Sequence, residues 1–218
     1  LASATAVIAS PAYGLNPVYR NNFLADNNTS SEIIFPVTFD GVHTQTWGGL
    51  TFLTHATCGG SMNNGDYGID GCWWGIRLKP ESYNLFSAGD SRAAYFYTTG
   101  QNVAVTSIGN WNDGIAAPKF SNKTSTGANG SNSTFPDTDF PLFRLADAYL
   151  IYVEAQTQGG TTTATAQSVT YFNALRQRAF GNASHNVTAA QITADTILAE
   201  RGRELLWEGH RRTDLVRF

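Results

Sequence analysis

The side chains best suited to chemistry crowd into the end of this sequence, in RGRELLWEGHRRTDLVRF at residues 201–218. A glycosidase needs two carboxyl groups flanking a bond, so Glu204 or Glu208, paired with another carboxylate, is a candidate acid or nucleophile. The neighbouring arginines argue against catalysis. A guanidinium lowers the pKa of an adjacent carboxyl, whereas a general acid needs a raised pKa.

The spacing of these charges indicates how they pair on a helix. Glu200, Glu204 and Glu208 recur at every fourth residue, and like charges at that spacing repel unless cations intervene. Arginines stand three or four positions away: Arg203 from Glu200, Arg201 from Glu204, and Arg211 and Arg212 from Glu208. We predict a structural ion-pair network that holds helices together and includes Arg203, Glu204, Glu208, Arg212 and Asp214.

Other reactive centres lack their sequence context. The histidines, at positions 43, 55, 185 and 210, have no G-x-S-x-G elbow to join, and no P-loop, H-E-x-x-H or G-x-G-x-x-G motif is present. His55 lies three residues before Cys58, but a zinc site needs two further ligands at suitable spacing. We predict no catalytic residue, no metal and no cofactor.

Cys58 and Cys72 bracket a glycine- and asparagine-rich stretch, CGGSMNNGDYGIDGC. A disulfide closing this loop would fit an oxidising compartment. Two free buried thiols are the alternative.

Composition narrows the class of ligand. Charged residues make up 14% of the 218 residues and the net charge is −3, so no basic field favours nucleic acid. Uncharged polar residues and aromatics suit neutral polar ligands instead. The sequence begins without an initiator Met or a signal peptide, and we expect it to be part of a longer chain.

Three zones organise a single domain. Residues 1–31 predict the end of a helix and a turn; residues 32–139 predict loops with short strands, at 32–39 and 93–99; residues 140–218 predict helices. Two helices there end at Gly159 and Gly181, and a capping box at Thr188 and Gln191 precedes a third that runs to about Gly209. The pattern indicates a mainly α fold with tetratricopeptide-like helical hairpins.

Several segments, in order along the chain, resemble the SusD/RagB family of outer-membrane glycan-binding lipoproteins. RGRELLWEGHRRTDLVRF is similar to the carboxy-terminal signature of that family, although Gly202 and Thr213 stand where larger residues are usual. The other matching segments are NNTSSEIIFPVTF at 27–39, CWWGIRLKPESYNLFSAGDSR at 72–92, DFPLFRLADAYLIYVEAQTQ at 139–158 and YFNALRQRA at 171–179.

The resemblance implies a non-catalytic protein on the bacterial cell surface, anchored in the outer membrane by a lipid outside these residues. It implies oligosaccharide or polysaccharide as ligand and a SusC-like TonB-dependent transporter as partner. It also implies helical hairpins on one side and a loop-rich, strand-containing region that carries the ligand contacts.

Sugar rings stack their C–H faces on flat aromatics and offer hydroxyls to amides and carboxylates, so aromatic side chains in polar loops are the candidate contacts. Residues 43–74 supply most of them, and GNWNDG supplies one more; the candidates are Trp47, Tyr67, Trp73, Asn63, Asn64, Asp66, Asp70 and Trp111. Trp74 matches a structural position of the family, and Trp207 lies in the helical motif, so both are predicted to be structural. The alternative function is a helical-repeat module that binds a protein rather than a glycan.

Overall fold

A computed structural model describes all 218 residues, and helices dominate it. The α-helices are Ala2–Ile8 (α1), Gly49–Ala56 (α2), Pro80–Tyr83 (α3), Leu145–Gln156 (α4), Ala166–Phe180 (α5), Ala194–Glu204 (α6) and Arg211–Arg217 (α7). Short 3₁₀ turns occur at Tyr19–Phe23, Asn27–Thr29, Asn64–Tyr67, Ser91–Ala93 and Ala189–Gln191. The predicted mainly α fold with short strands is confirmed. None of the helices combines the length and the apolar character needed to span a bilayer.

Two strands, Ile33–Val37 (β1) and Phe140–Arg144 (β2), form an antiparallel pair that joins the loop region to α4. The strand predicted at 32–39 corresponds to β1. The strand predicted at 93–99 is wrong: this segment starts in a 3₁₀ turn, and Tyr97 makes only an isolated bridge to Ala116. Its aromatic side chains Tyr95 and Phe96 pack against a buried cluster around Leu78 and Ile115, which explains the strand-like pattern.

The helical layer is built from α4, α5 and α6, whose apolar faces meet in one core. The buried members are Ala146, Leu150, Val153, Ala164, Phe172, Leu175, Ile192, Ile197 and Leu205. Gly181 ends α5 in the left-handed region at φ 70°, where a residue with a Cβ is strained. The helices α4 and α5 are the two that the apolar period of the sequence predicts.

The last long helix ends earlier than the sequence predicts. The Thr188 capping box begins a 3₁₀ turn rather than the helix itself. Helix α6 starts at Ala194 and stops at Glu204 rather than near Gly209. The carbonyl of Glu204 accepts hydrogen bonds from the Tyr19 hydroxyl, at 2.8 Å, and from Arg144 Nη2, at 2.6 Å. Side chains from elsewhere thus satisfy the carbonyl at which the helix breaks.

A buried ion-pair network lies between the helical layer and the loop region. We call it the arginine clasp; its cations are Arg92, Lys119, Arg144 and Arg178, and its anions are Glu32, Glu200, Glu204 and Glu208, all of them buried. Arg144, at the end of β2, is its centre. Its guanidinium contacts Glu32 and Glu204 through Nη1, both at 2.7 Å, and binds both carboxylate oxygens of Glu208.

The other cations bring further segments to the same carboxylates. Arg92 contacts Glu200 at 2.6 Å and Glu204 at 3.0 Å from the loop region, and Arg178 of α5 contacts Glu32 and Glu204. Lys119 donates to Glu208 at 2.5 Å and lies over the Phe23 ring. The clasp therefore ties β1, β2, α5, α6 and the loops into one body.

Of the residues predicted for ion pairing, Arg212 makes no ion pair, and Asp214 pairs outside the arginine clasp. Arg212 is exposed, because the chain turns at residues 205–209 and α7 begins a new direction. Both oxygens of Glu208 are taken instead by Arg144 and Lys119. Arg203 pairs with Glu200 at 2.6 Å, and Asp214 pairs with Arg201 and Arg217, both at 2.9 Å.

We expect Glu204→Gln to lower the free energy of unfolding by about 3–5 kcal/mol, because it removes the charge shared by three buried arginines. Guanidinium denaturation followed by tryptophan fluorescence measures this. Arg212→Ala is the matched control and should change stability by less than about 0.5 kcal/mol. A Glu204→Gln protein as stable as the parent would show that the clasp does not hold the layers together.

The clasp also makes stability depend on acid pH. Burial would raise the pKa of Glu200, but Arg92 and Arg203 outweigh it and lower that pKa to about 2; the arginines around Glu204 likewise lower its pKa. An unfolded Glu titrates near about pH 4.3. We expect the stabilisation to be complete above about pH 4.3 and to be lost as the pH falls towards about 2. Urea denaturation at a series of pH values tests this, and a flat profile to pH of about 2 would contradict it.

Candidate functional site

A disulfide between Cys58, just after α2, and Cys72 fixes the loop that carries most of the candidate contacts; the two Cα atoms are 4.7 Å apart. Cys58 packs beneath this loop with Met62, Ile69, Trp111 and Ala116. The predicted glycan contact at Trp111 is wrong, because this side chain is only 6% exposed. It fills space left by Gly59 and Gly60, where an added Cβ would lie within 2.7 Å of the indole.

Three aromatic side chains form an exposed surface beside the disulfide, which we call the aromatic shelf: Trp47, Phe52 and Trp73. They are 65%, 45% and 38% exposed. The ring centroids of Trp47 and Trp73 are 6.1 Å apart with a tilt of 36°, and Phe52 lies 6.5 Å from Trp73. The shelf is thus a broad, slightly curved apolar surface.

Three segments position the shelf. Trp47 precedes α2 and packs edge-on against Phe135, with centroids 5.0 Å apart; Phe52 lies on α2 itself. Trp73 follows the disulfide, and its backbone N–H donates to the carbonyl of His55 on α2 at 3.0 Å. The buried His55 ring stacks beneath the Trp73 ring, with centroids 4.5 Å apart.

Among the predicted polar contacts, the structure places Asp70 beside the shelf. One of its oxygens lies 3.9 Å from His55 Nδ1, and the other accepts a hydrogen bond from the Thr134 hydroxyl. Asp70 therefore sits at a polar edge formed by the disulfide loop and the segment that carries Phe135.

The other predicted contacts hold a turn of their own. Asn63 accepts from the Gly65 N–H and donates to Asp66, while Asn64 donates to the carbonyl of Ile69. Tyr67 is partly buried against the Cys58 cluster, and none of the ring contacts of the shelf involves it. The structure thus does not bring these four residues to the shelf through any direct contact.

Trp74, which the sequence reasoning sets aside as structural, is 55% exposed and has φ 57°. A bulky residue in the left-handed region is uncommon and often marks a functional position. Its ring lies 6.0 Å from that of Trp111. The pair of adjacent tryptophans between Cys72 and Gly75 was the available signal in the sequence.

The site offers stacking surfaces and hydrogen-bonding edges rather than reactive groups. No group of three or more His, Cys, Asp or Glu side chains is arranged to hold a metal ion. The glutamates of the arginine clasp are buried, and their arginines keep the pKa values of Glu200, Glu204 and Glu208 low. These carboxylates are therefore unsuited to proton transfer.

Known proteins match this chain closely enough to define its relatives. The model of the SusD family matches residues 81–218. The starch-binding protein SusD of Bacteroides thetaiotaomicron is 33% identical over 266 residues, an alignment that covers 99% of this chain and 46% of that relative. The chain thus spans about half the length of this relative.

Solved structures share the fold. Surface glycan-binding protein A from Bacteroides thetaiotaomicron, in complex with laminarihexaose, superposes with a TM-score of 0.73 at 22% identity, covering 98% of this chain and 48% of that one. A SusD superfamily protein from Parabacteroides distasonis gives a TM-score of 0.72 at 22% identity, covering 98% and 45%.

We expect the double substitution Cys58→Ser, Cys72→Ser to lower the free energy of unfolding by about 3 kcal/mol, the value for opening a loop of this length. Guanidinium denaturation with and without dithiothreitol measures it. Dithiothreitol should destabilise the parent protein by a similar amount and leave the double variant unchanged. Equal stability of parent and variant would show that the disulfide does not constrain the loop.

Proposed function

This chain belongs to the SusD family, and on that premise we propose that it binds oligosaccharides, without catalysis, on the aromatic shelf. The observation that carries the proposal is the exposed pair Trp47 and Trp73, whose ring centroids lie 6.1 Å apart. Large aromatics that face solvent together mark binding surfaces on soluble domains.

The geometry suits a sugar chain better than a single sugar. Each indole offers one flat face, and the tilt of 36° between the two rings lets successive sugars bend across them. Sugar hydroxyls at the edge would meet Asp70 and Thr134. We include the exposed Trp74, which packs on Trp111 of the Cys58 cluster, as a further stacking surface for a longer sugar chain.

We propose neutral glucose polymers as the first ligands to test. One relative is a starch-binding protein, and one structural neighbour is in complex with laminarihexaose. Starch and laminarihexaose are both uncharged glucans. The three shelf side chains carry no charge, so they offer nothing to attract an acidic sugar from solution.

Binding rather than hydrolysis follows from where the carboxylates lie. The glutamates of the carboxy-terminal motif are buried in the arginine clasp, and Asp70 is the predicted carboxylate that lies beside the shelf. A glycosidase needs two carboxyl groups across the scissile bond. The shelf residues supply no such pair.

We also propose that the whole protein lies at the surface of the outer membrane, held by a lipid anchor, and passes its ligand to a SusC-like TonB-dependent transporter. Membership of the SusD family supports this proposal. A protein-binding helical module is the alternative, and it differs in predicting a retained transporter without glycan affinity.

We expect Trp47→Ala and Trp73→Ala each to weaken binding of laminarihexaose or maltohexaose at least about tenfold, since tenfold corresponds to about 1.4 kcal/mol of lost stacking. Isothermal titration calorimetry on the full-length protein measures this. Phe143→Ala is the matched control, because Phe143 is an exposed aromatic on β2 outside the shelf.

Unchanged affinity in both tryptophan variants would remove the shelf from the proposal. Absence of binding to a broad glycan array, together with capture of the transporter in a pull-down, would favour the protein-binding alternative.

A further inference from the structure

We propose that His55 is a positioning residue for the aromatic shelf and that it acts as a doubly protonated imidazolium, so that glycan binding weakens as pH rises. The inference rests on the proposed function for its binding readout. Its chemical basis, the protonation state of one buried ring, stands on geometry alone.

Both nitrogens of the His55 ring face backbone carbonyl oxygens. Nδ1 lies 2.6 Å from the carbonyl oxygen of Gly71, in the disulfide loop, and Nε2 lies 2.9 Å from that of Thr134. Carbonyl oxygens only accept hydrogen bonds, so each contact requires an N–H on the histidine.

A neutral imidazole carries one N–H, and only the imidazolium donates from both nitrogens. His55 is fully buried, so water does not replace a missing donor. In the neutral ring, one bare nitrogen would face a carbonyl oxygen at hydrogen-bonding distance, with lone pair against lone pair. The two carbonyl acceptors therefore fit the doubly protonated ring that we propose.

Two neighbours of the buried ring, Trp73 and Asp70, favour a positive charge on it. The Trp73 ring stacks on it with centroids 4.5 Å apart and an interplanar angle of 24°, which presents the electron-rich indole face to the cation. Asp70, from the disulfide loop, is the one carboxylate within ion-pair distance, at 3.9 Å from Nδ1. From the opposite segment the ring meets the uncharged backbone of Thr134.

The imidazolium thus joins two segments that build the shelf. Through Gly71 it holds the loop that leads into Trp73, and through Thr134 it holds the segment whose Phe135 supports Trp47. Loss of one proton would release one of these links and loosen the relation between the two tryptophans. The sign follows: the shelf is fully linked when the ring carries both protons and loosens when one of them is lost.

Histidine is the side chain that ordinarily changes charge between about pH 5 and 8, so the experiment spans pH 5 to 9. The first measurement is ¹⁵N NMR of the histidine rings in the full-length protein without glycan. We expect both His55 nitrogens to be protonated at pH 5. The second is the affinity for laminarihexaose and maltohexaose across the same range. We expect that affinity to fall about tenfold as the pH rises from 5 to 9.

Two variants separate positioning from folding. His55→Phe keeps a ring under Trp73 but removes both donors, and should bind weakly at every pH. His55→Gln keeps one amide donor that does not titrate, and should bind with intermediate affinity independent of pH. His185→Gln is the matched control, because His185 stacks on Phe180 in the helical layer, and it should keep the parent pH profile.

The outcomes are distinguishable from failure of the proposed function. A neutral His55 ring at pH 5 by NMR overturns the inference whatever the glycan result. Glycan affinity that stays constant from pH 5 to 9 in the parent also overturns it, while leaving glycan binding intact. If neither glucan binds at any pH but the ring is doubly protonated, the choice of glucan falls, and the loss of one of the two links on deprotonation is then tested by amide hydrogen exchange at Gly71 and Thr134.

Discussion

The rest of the structure depends on the ion pairs that the Arg144 guanidinium makes with three glutamates. The guanidinium projects from the end of β2 into the buried interior and binds Glu32, Glu204 and Glu208 together. Burying charges costs several kcal/mol per ion unless each finds partners, so a half-satisfied clasp would be worse than an apolar core. Such a network tolerates little displacement of any segment that contributes to it, and β1, α5 and α6 are consequently fixed relative to β2.

This constraint explains why so few charges of a weakly charged chain are left for binding. Arg92, Lys119 and Arg144 are buried, as are their glutamates, and their contacts are internal. The surface that remains for ligand recognition is consequently rich in uncharged polar and aromatic groups. A dense run of charge at the end of the sequence and a neutral binding surface are thus two results of one arrangement.

The sequence predicts the elements whose causes are local. The apolar period of α4 and α5, the glycine at the end of α5 and the strand at β1 depend on residues a few positions apart, and each is found. The end of α6 depends on Tyr19 and Arg144, which are distant in sequence. The burial of Trp111 depends on Gly59, and the isolation of Arg212 depends on Lys119 and Arg144, which take both oxygens of Glu208. Spacing on an assumed helix cannot supply those partners.

The stabilisers of the shelf and of the helical layer are different in kind. The helical layer has an apolar core, and buried charges join it to the loop region; those charges are sensitive to strong acid and indifferent to reducing agents. The shelf rests on a disulfide, on the packing of Trp111 against two glycines, and on one histidine between two carbonyls. Because no residue of the clasp takes part in these contacts, the loops are free to vary in sequence without disturbing the network that defines the fold. A single rigid framework is thereby compatible with binding surfaces of different specificity.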